Sequence, residues 1–231
     1  MDAPKRRFSL GWSLPARILR WVLGCAVNIV LFRVIAGRWD LPWVWISIAA
    51  GSIPTLALVL TIDPNLMRER MRPGPGARDR STNWMLMVLI VLELVLSTLD
   101  VGRLHWSDRV PTAVHVAALL LNLAGLSIVV WSVAVNRYFS SVVRIQSDRG
   151  HTLITSGPYA WVRHPGYLGM LLAYPTFGLV VGSWWSAVPG FLCGLLVLRR
   201  AIIEDPYLTQ NLPGYVEYRA RVRFRLVPGV W

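Results

Sequence analysis

The chain has 231 residues, of which 55% are hydrophobic and only 16% charged, with a formal net charge of +12 and 12 tryptophans. An ordinary soluble domain carries nearer a quarter charged residues, so this composition argues against a water-soluble fold. The basic residues alternate with apolar runs instead of clustering on one soluble face, which argues against a nucleic-acid-binding module.

Six apolar stretches predict helices that cross or nearly cross a bilayer, over residues 18–36, 43–62, 84–99, 112–135, 167–181 and 184–198. The first follows Lys5, Arg6 and Arg7, but no small-residue cleavage site comes after it and further spans do. It therefore reads as a retained span and not a signal peptide. The tryptophans suit helix ends at the two membrane interfaces. Cys25 and Cys193 each lie inside an apolar run, with neither a disulfide framework nor zinc spacing, and read as small packing residues. Between the second and third stretches, residues 68–80 carry Pro73-Gly74-Pro75-Gly76 and predict an irregular, mobile loop. Glu93 lies within the third span, where an acid is costly, and is expected to make a hydrogen bond inside the bundle. The last two stretches are joined by little more than Gly182-Ser183 and predict a tight helical hairpin bent at Pro175.

All of the 24 Lys and Arg residues except Arg33, Arg38, Arg103 and Arg109 fall in segments on one side of these spans. Positive charge marks the cytoplasmic face, so six crossings put both termini in the cytoplasm. The expectation is an all-α, multi-pass integral membrane protein. Residues 1–135 supply four spans, and residues 136–231 supply a catalytic region with the hairpin, a cytoplasmic pocket and the C-terminal tail.

The largest polar stretches, 136–166 and 199–231, flank the hairpin on that one face. A transporter usually gathers its distinctive polar groups near the bilayer midplane. Placement at the interface suits an enzyme that takes a soluble cofactor from one side and a lipophilic substrate from the membrane. Within the first stretch, His151-Thr152-Leu153-Ile154 leads through Gly157-Pro158-Tyr159 to Arg163-His164-Pro165-Gly166-Tyr167. Pro165 suits a first helical position, and the helix start would offer free backbone N–H groups to a carboxylate. After the hairpin, Arg200 and Glu204 lie four apart on one helix face, and Asp205-Pro206 is expected to end that helix. Asn136 closes the fourth span, either beside the pocket or as a helix C-terminal residue. Arg144, Arg149 and Arg163 fit topology and lipid-headgroup contacts better than catalysis.

Taken in this order, and with Gly214-Tyr215 and Tyr218 following, the blocks resemble the isoprenylcysteine carboxyl methyltransferase family, over about residues 130–231. The related phospholipid methyltransferases share much of the pattern. The resemblance implies an S-adenosylmethionine pocket closed by cytoplasmic segments and lined by His151, Thr152, Leu153, Ile154, Tyr159, His164, Pro165, Gly166 and Tyr167. Glu204 would hold a polar part of the cofactor, its amino group or ribose. Gln146 stands for a family glutamine, at a different spacing from His151, and Glu204-Asp205 stands where the family commonly has Glu-Glu. Arg200 matches an arginine directed at the substrate carboxylate.

Methyl transfer from a sulfonium is an in-line displacement that depends chiefly on positioning. Aromatic faces such as Tyr159 and Tyr167 tolerate the cation. A carboxylate nucleophile is already ionised, whereas an amine or thiol would need His164 or Glu204 as proton acceptor. The expected partners are a lipophilic small molecule or lipid and the membrane lipids themselves, with no nucleic acid and no metal. Two rival enzymes remain: a methyltransferase for phospholipid or other lipid amines, and an NADPH-dependent membrane reductase of the sterol-reductase type. Residue by residue, Arg200 with Glu204 could be a plain helix-face ion pair, and Tyr159, Trp161 and Tyr167 could be interfacial anchors.

Overall fold

The computed structural model describes residues 13–231, so the Lys5-Arg6-Arg7 cluster lies outside the described residues. Among the described residues the structure is helical throughout, with one isolated antiparallel bridge between Arg78 and Val143. The helices are α1 (Leu14–Ala36), α2 (Pro42–Thr61), α3 (Pro64–Met71), α4 (Arg80–Leu99), α5 (Thr112–Val135), α6 (Pro165–Val181), α7 (Ala187–Asn211) and α8 (Tyr215–Arg221). A π-helical turn, Asp100–Leu104, extends α4.

Four helical segments, Leu14–Ala36, Pro42–Thr61, Arg80–Leu104 and Thr112–Val135, are long and apolar enough to cross a membrane. On α1 the apolar side chains of Leu19, Val22, Val27, Val30 and Val34 are exposed. Such a surface is costly in water and ordinary against lipid, so the chain reads as an integral membrane protein. α6 has 17 residues, and α7 runs from an apolar first half into a polar second half.

Without a hydrophobic drive between helices in lipid, close packing needs small residues. α5 and α6 meet at Gly125 and Gly169, where a Cβ on either would fall 2.5 Å from the other's carbonyl oxygen. Asn122 adds a hydrogen bond from its Nδ2 to the Ala173 carbonyl at 2.8 Å. Glu93 does make a bundle-internal bond: its Oε1 accepts from the Gly178 N–H at 3.3 Å. At the end of the bundle away from the long polar segments, buried Asp100 accepts from Ser107 Oγ at 2.6 Å and Ser183 Oγ at 2.5 Å. That carboxylate stitches the end of α4 to the α6–α7 connection, where Gly182 adopts φ +111°, a conformation open to glycine. Cys193 is fully buried and packs against Val197 and Tyr167 within the core, as a small packing residue should.

Two local expectations are corrected. The connection after α2 is not wholly irregular, because Asp63 caps α3 by accepting from Asn65 N at 2.6 Å, and Pro64 fits the first turn. Its Pro-Gly part is tethered as well, by Gly74 N to Glu69 Oε2 (3.4 Å) and Arg144 Nη1 to the Pro75 carbonyl (3.2 Å). Nor does Asp205-Pro206 end a helix. α7 runs on to Asn211 with Pro206 inside it. The proline removes one backbone hydrogen bond, and the side-chain bonds that Asp205 makes across the adjacent segments hold the helix through it.

The Gly125–Gly169 contact yields a direct test. Gly169→Leu should force α5 and α6 apart, costing about 1–3 kcal/mol or more, and lower the detergent-solubilised melting temperature clearly. Gly24, which has nothing within 4 Å of its Cβ position, is the control; Gly24→Leu should leave the melting temperature nearly unchanged. Equal behaviour of the two variants would refute the close-packing account.

Candidate active site

Three walls of chain line a pocket, open to solvent, at the polar end of the bundle. The first wall is the segment that leaves α5. Asn136 caps α5, its Oδ1 accepts from Tyr138 N (2.9 Å), and its Nδ2 donates to the Tyr159 hydroxyl (3.0 Å). It is thus both a helix-end residue and a pocket residue. Gln146 is fully buried, donates from Nε2 to the Tyr138 carbonyl (2.7 Å), and accepts from Arg149. His151 stacks on Tyr138 with ring centroids 4.4 Å apart. Burial, reinforced by the nearby Arg149 and Arg144 charges, lowers the His151 imidazole to about 4, so it is neutral at pH 7.

Arg144 anchors this wall to α3. Its Nε and Nη2 donate to Glu69 at 2.7 and 2.8 Å, and its Nη1 donates to Asp148 at 2.9 Å. Burial alone would raise the Glu69 carboxyl, but the Arg144 bonds hold it below its ordinary value. Arg144 and Arg163 are both almost wholly buried. Neither is therefore a headgroup contact, because charges this deep persist where buried carboxylates meet them. The sequence held the charges but not their partners. Trp161, by contrast, is largely exposed, as an interfacial anchor would be.

The second wall is the start of α6. The Tyr167 and Leu168 N–H groups both donate to the His164 carbonyl, so they are not left free for an anion. The His164 and Tyr167 rings stack at 5.5 Å. Gly166 is required here, because a Cβ would sit 2.3 Å from the Phe139 ring that closes over it.

The third wall is the polar half of α7 with α8. The Tyr167 hydroxyl donates to Glu204, the carboxylate that lines the pocket. The next residue, Asp205, is fully buried. It accepts from Arg163 Nε (2.7 Å), Tyr215 Oη (2.9 Å) and Arg225 Nε (3.1 Å), and His164 Nε2 lies 3.3 Å away. Burial pushes its pKa up, but the bonds from His164, Arg163 and Tyr215 outweigh that and hold it well below the carboxylate range. The C-terminal segment is laid against α6 by Arg163 N to the Phe224 carbonyl (3.0 Å) and His164 N to the Arg225 carbonyl (2.9 Å). The Tyr218 hydroxyl donates to the Tyr159 carbonyl (2.7 Å) and closes the third wall on the first.

Of the expected cofactor residues, His151, Leu153, Ile154, Tyr159, His164, Gly166, Tyr167 and Glu204 line this pocket. Gln146, Thr152 and Pro165 do not: Gln146 is bonded into the wall, Thr152 is exposed, and Pro165 is buried in the helix start. Arg200 lies one turn before Glu204 and is only 4% exposed. It is not part of the lining, and its Nε and Nη2 have no hydrogen-bond partner. Among the described residues it forms no ion pair with Glu204, so the plain helix-face pair is not what the structure contains. Lining residues that the sequence reading did not mark as cofactor contacts include Tyr138, Phe139, Leu208, Leu212 and Tyr215. Leu208 and Leu212 continue the Glu204 face at intervals of four, a signal hidden by the assumption that Pro206 stops the helix. Among the described residues there is no cluster of His, Cys, Asp and Glu able to hold a metal ion.

This geometry coincides with a family match. Residues 113–210, which contain most of the pocket, match the model of the isoprenylcysteine carboxyl methyltransferase family. Over residues 113–210 the chain is similar to that family. Its relatives include the cobalt-zinc-cadmium resistance protein CzcN of Cupriavidus metallidurans, 31% identical over 135 residues that cover 57% of this chain and 58% of that protein. The protein-S-isoprenylcysteine O-methyltransferase of Saccharomyces cerevisiae is 30% identical over 86 residues, 36% of each chain. That of Schizosaccharomyces pombe is 30% identical over 89 residues, again 36% of each. The chain thus spans well under two thirds of the length of these relatives. The family resemblance of the motif blocks is confirmed through residue 210, whereas α1 to α4 and the Gly214-Tyr215 and Tyr218 block lie outside the matched region.

The Asp205 cluster gives a stability prediction with a defined sign. Its folded-state pKa is depressed, so its contribution is present above the unfolded carboxyl pKa of about 3.9 and is lost as pH falls below it. Asp205→Asn leaves buried cations without their anion and should destabilise the fold by about 3–5 kcal/mol at neutral pH. Melting curves should show a constant deficit from about pH 7 to pH 5 that narrows below about pH 4. A deficit independent of pH throughout would mean that Asp205 acts by shape and not by charge.

Proposed function

We propose that the chain is an S-adenosylmethionine-dependent methyltransferase that acts at the cytoplasmic membrane face on a lipophilic carboxylate, such as a prenylated cysteine. The observation that carries this reading is the placement, on successive turns of α7, of the pocket carboxylate Glu204 and the buried guanidinium of Arg200, whose Nε and Nη2 donors are unused. The family match and the names of the yeast relatives support the reaction class.

The residues fit the cofactor. The pocket lining combines one carboxylate with several aromatic side chains and the apolar side chains of Leu153, Ile154, Leu208 and Leu212. Glu204 offers an acceptor to an amino or hydroxyl group, and Tyr159, Tyr167 and His164 offer aromatic faces to a purine or a sulfonium. When bound, S-adenosylmethionine supplies an electrophilic methyl group, which a carboxylate oxygen takes in line as the carbon–sulfur bond breaks, with no proton changing hands. Tyr167 fixes Glu204 through its hydroxyl, and Arg200 orients the incoming anion. No general base is needed.

Two observations weigh against the rivals. The arginines that line the pocket, Arg144 and Arg163, are committed to Glu69, Asp148 and Asp205, which leaves them ill placed to hold the phosphates of NADPH. An ammonium or amine headgroup would meet the Arg200 charge, whereas a carboxylate would be attracted by it. In this reading residues 1–135 are a membrane-embedding region and 136–231 the catalytic region. α6 and α7 provide the fifth and sixth crossings, and both termini face the cytoplasm.

Glu204→Gln should weaken S-adenosylhomocysteine binding about tenfold or more, the worth of a charge-assisted bond. Arg200→Lys should bind S-adenosylhomocysteine almost normally yet turn over at least about tenfold more slowly, roughly 1.4 kcal/mol of transition-state stabilisation. Calorimetry and a radiolabelled methyl-transfer assay read both. Tight NADPH binding, or loss of cofactor affinity in Arg200→Lys with turnover intact, would sink the assignment.

The topology is open to a separate measurement. Reporter fusions at Arg78 and after Trp231 should report the cytoplasm, and a fusion at Asp108 the opposite side. Opposite locations for Arg78 and Trp231 would show that α6 and α7 do not both cross.

A further inference from the structure

Another cavity lies within the bundle itself, between α1, α2, α4, α5 and α6, and shares no lining residue with the pocket at the polar end. Cys25 of α1, Gly51 of α2 and Asn122 of α5 all line it, and each stands close to the middle of its helix. The cavity is therefore near the midplane of the bilayer, a depth without bulk water to satisfy a polar group. Leu119, Leu126 and Phe177 give it apolar walls, and no charged side chain lines it.

Its polar atoms are chiefly acceptors. Asn122 is only 8% exposed. Its Nδ2 donates to the Ala173 carbonyl at 2.8 Å and reaches Thr176 Oγ1 at 3.5 Å. A carbonyl only accepts, so the atom that faces Ala173 is the amide nitrogen. The Asn122 Oδ1 accepts no hydrogen bond among the described residues and stays reachable from the cavity that it lines. On the α2 side the hydroxyl protons are spent on their own helix. Ser47 donates to the Val44 carbonyl (2.7 Å) and Ser52 to the Ala49 carbonyl (2.6 Å), which leaves their oxygens as acceptors. An acceptor without a partner in hydrocarbon is costly. The bonds to α6 account for the Asn122 nitrogen and leave its oxygen unexplained. What the cavity lacks is a donor.

We propose that this cavity binds a neutral lipophile that carries a hydroxyl group on a long aliphatic chain. The apolar walls take the chain, Asn122 Oδ1 accepts from the hydroxyl, and a lining without charge disfavours an ionised head group. α1 and α2 lie outside the matched family region, and the site does not depend on the methyltransferase reading.

The test uses the full chain reconstituted in phosphatidylcholine vesicles and photolabelled with a diazirine-bearing 1-hexadecanol. Label should concentrate on the cavity-lining peptides of α1, α2 and α5. Unlabelled 1-hexadecanol should compete at least about fivefold better than hexadecyl methyl ether, which keeps the chain and the oxygen but has no proton to donate. Asn122→Leu should bring that ratio below about twofold. Because this variant also loses the bond to Ala173, a second one leaves Asn122 in place. Gly51 has nothing within 4 Å of its Cβ position, so Gly51→Leu fills the space without a clash. It should cut labelling at least about tenfold at an unchanged melting temperature. Equal competition by alcohol and ether, or label spread evenly over the lipid-facing helices, would overturn the proposal and leave the cavity to water or an ordinary acyl chain. An undiminished preference in Asn122→Leu, or undiminished labelling in Gly51→Leu, would overturn it as well.

Discussion

At the centre of the polar end of the molecule lies the buried carboxylate of Asp205, and two of the three walls of the pocket lean on it. Arg163 and His164 precede α6, Tyr215 opens α8, and Arg225 belongs to the C-terminal segment, so one side chain gathers partners from separate stretches of sequence. Taking a carboxylate out of water costs several kcal/mol, which only multiple short contacts repay. Here they do, and the group stays ionised. The arrangement is all-or-none: removing one member leaves the others buried and uncompensated. That is how a short helix and an irregular tail, neither stable alone, are held against a membrane bundle as a rigid wall.

The same residue explains the boundary of what the sequence revealed. Apolar runs follow from composition and length alone, because a lipid-facing helix must be apolar along its whole span. The run at 112–135 coincides with α5 in full. The motif blocks were legible because His151, Tyr159, His164, Gly166, Tyr167 and Glu204 are carried at a spacing that the local backbone preserves. Contacts between distant segments were not legible. Nothing near Glu69 in the chain announces Arg144, and nothing near Asp205 announces Arg225. α3 was missed because it has only eight residues and is largely polar, and it is held by the Asp63 cap, the burial of Leu66 and the Glu69–Arg144 pair. Gln146 has the right identity in nearly the right place, yet it serves the wall and not the cavity, a distinction that only burial can draw.

A chain with 24 basic and 12 acidic residues cannot pair all its cations. The surplus has two physical origins, and burial separates them. Arg80, Arg219, Arg221 and Arg223 are exposed, where water and anionic headgroups meet their charge at little cost, so position relative to the membrane accounts for them. The buried arginines are a different population, because each must have a counter-charge to be stable. Arg144 and Arg163 have theirs within the chain.

Arg200 forms no ion pair among the described residues, although Glu204 and Asp79 lie within electrostatic range, and it sits where an apolar helix half gives way to the polar pocket. Water can hydrate the polar rim, but the donors of a nearly inaccessible guanidinium lie beyond that relief. A fold that kept this arrangement only for packing would be served better by leucine or methionine at the same position, since an unpaired buried charge is among the most destabilising features a core can hold. The two unused donors of Arg200 are what the proposed role in holding a substrate anion rests on. On the proposed reading that anion is carried by a lipophilic substrate, which would reach Arg200 from the side where the apolar half of α7 meets the bilayer.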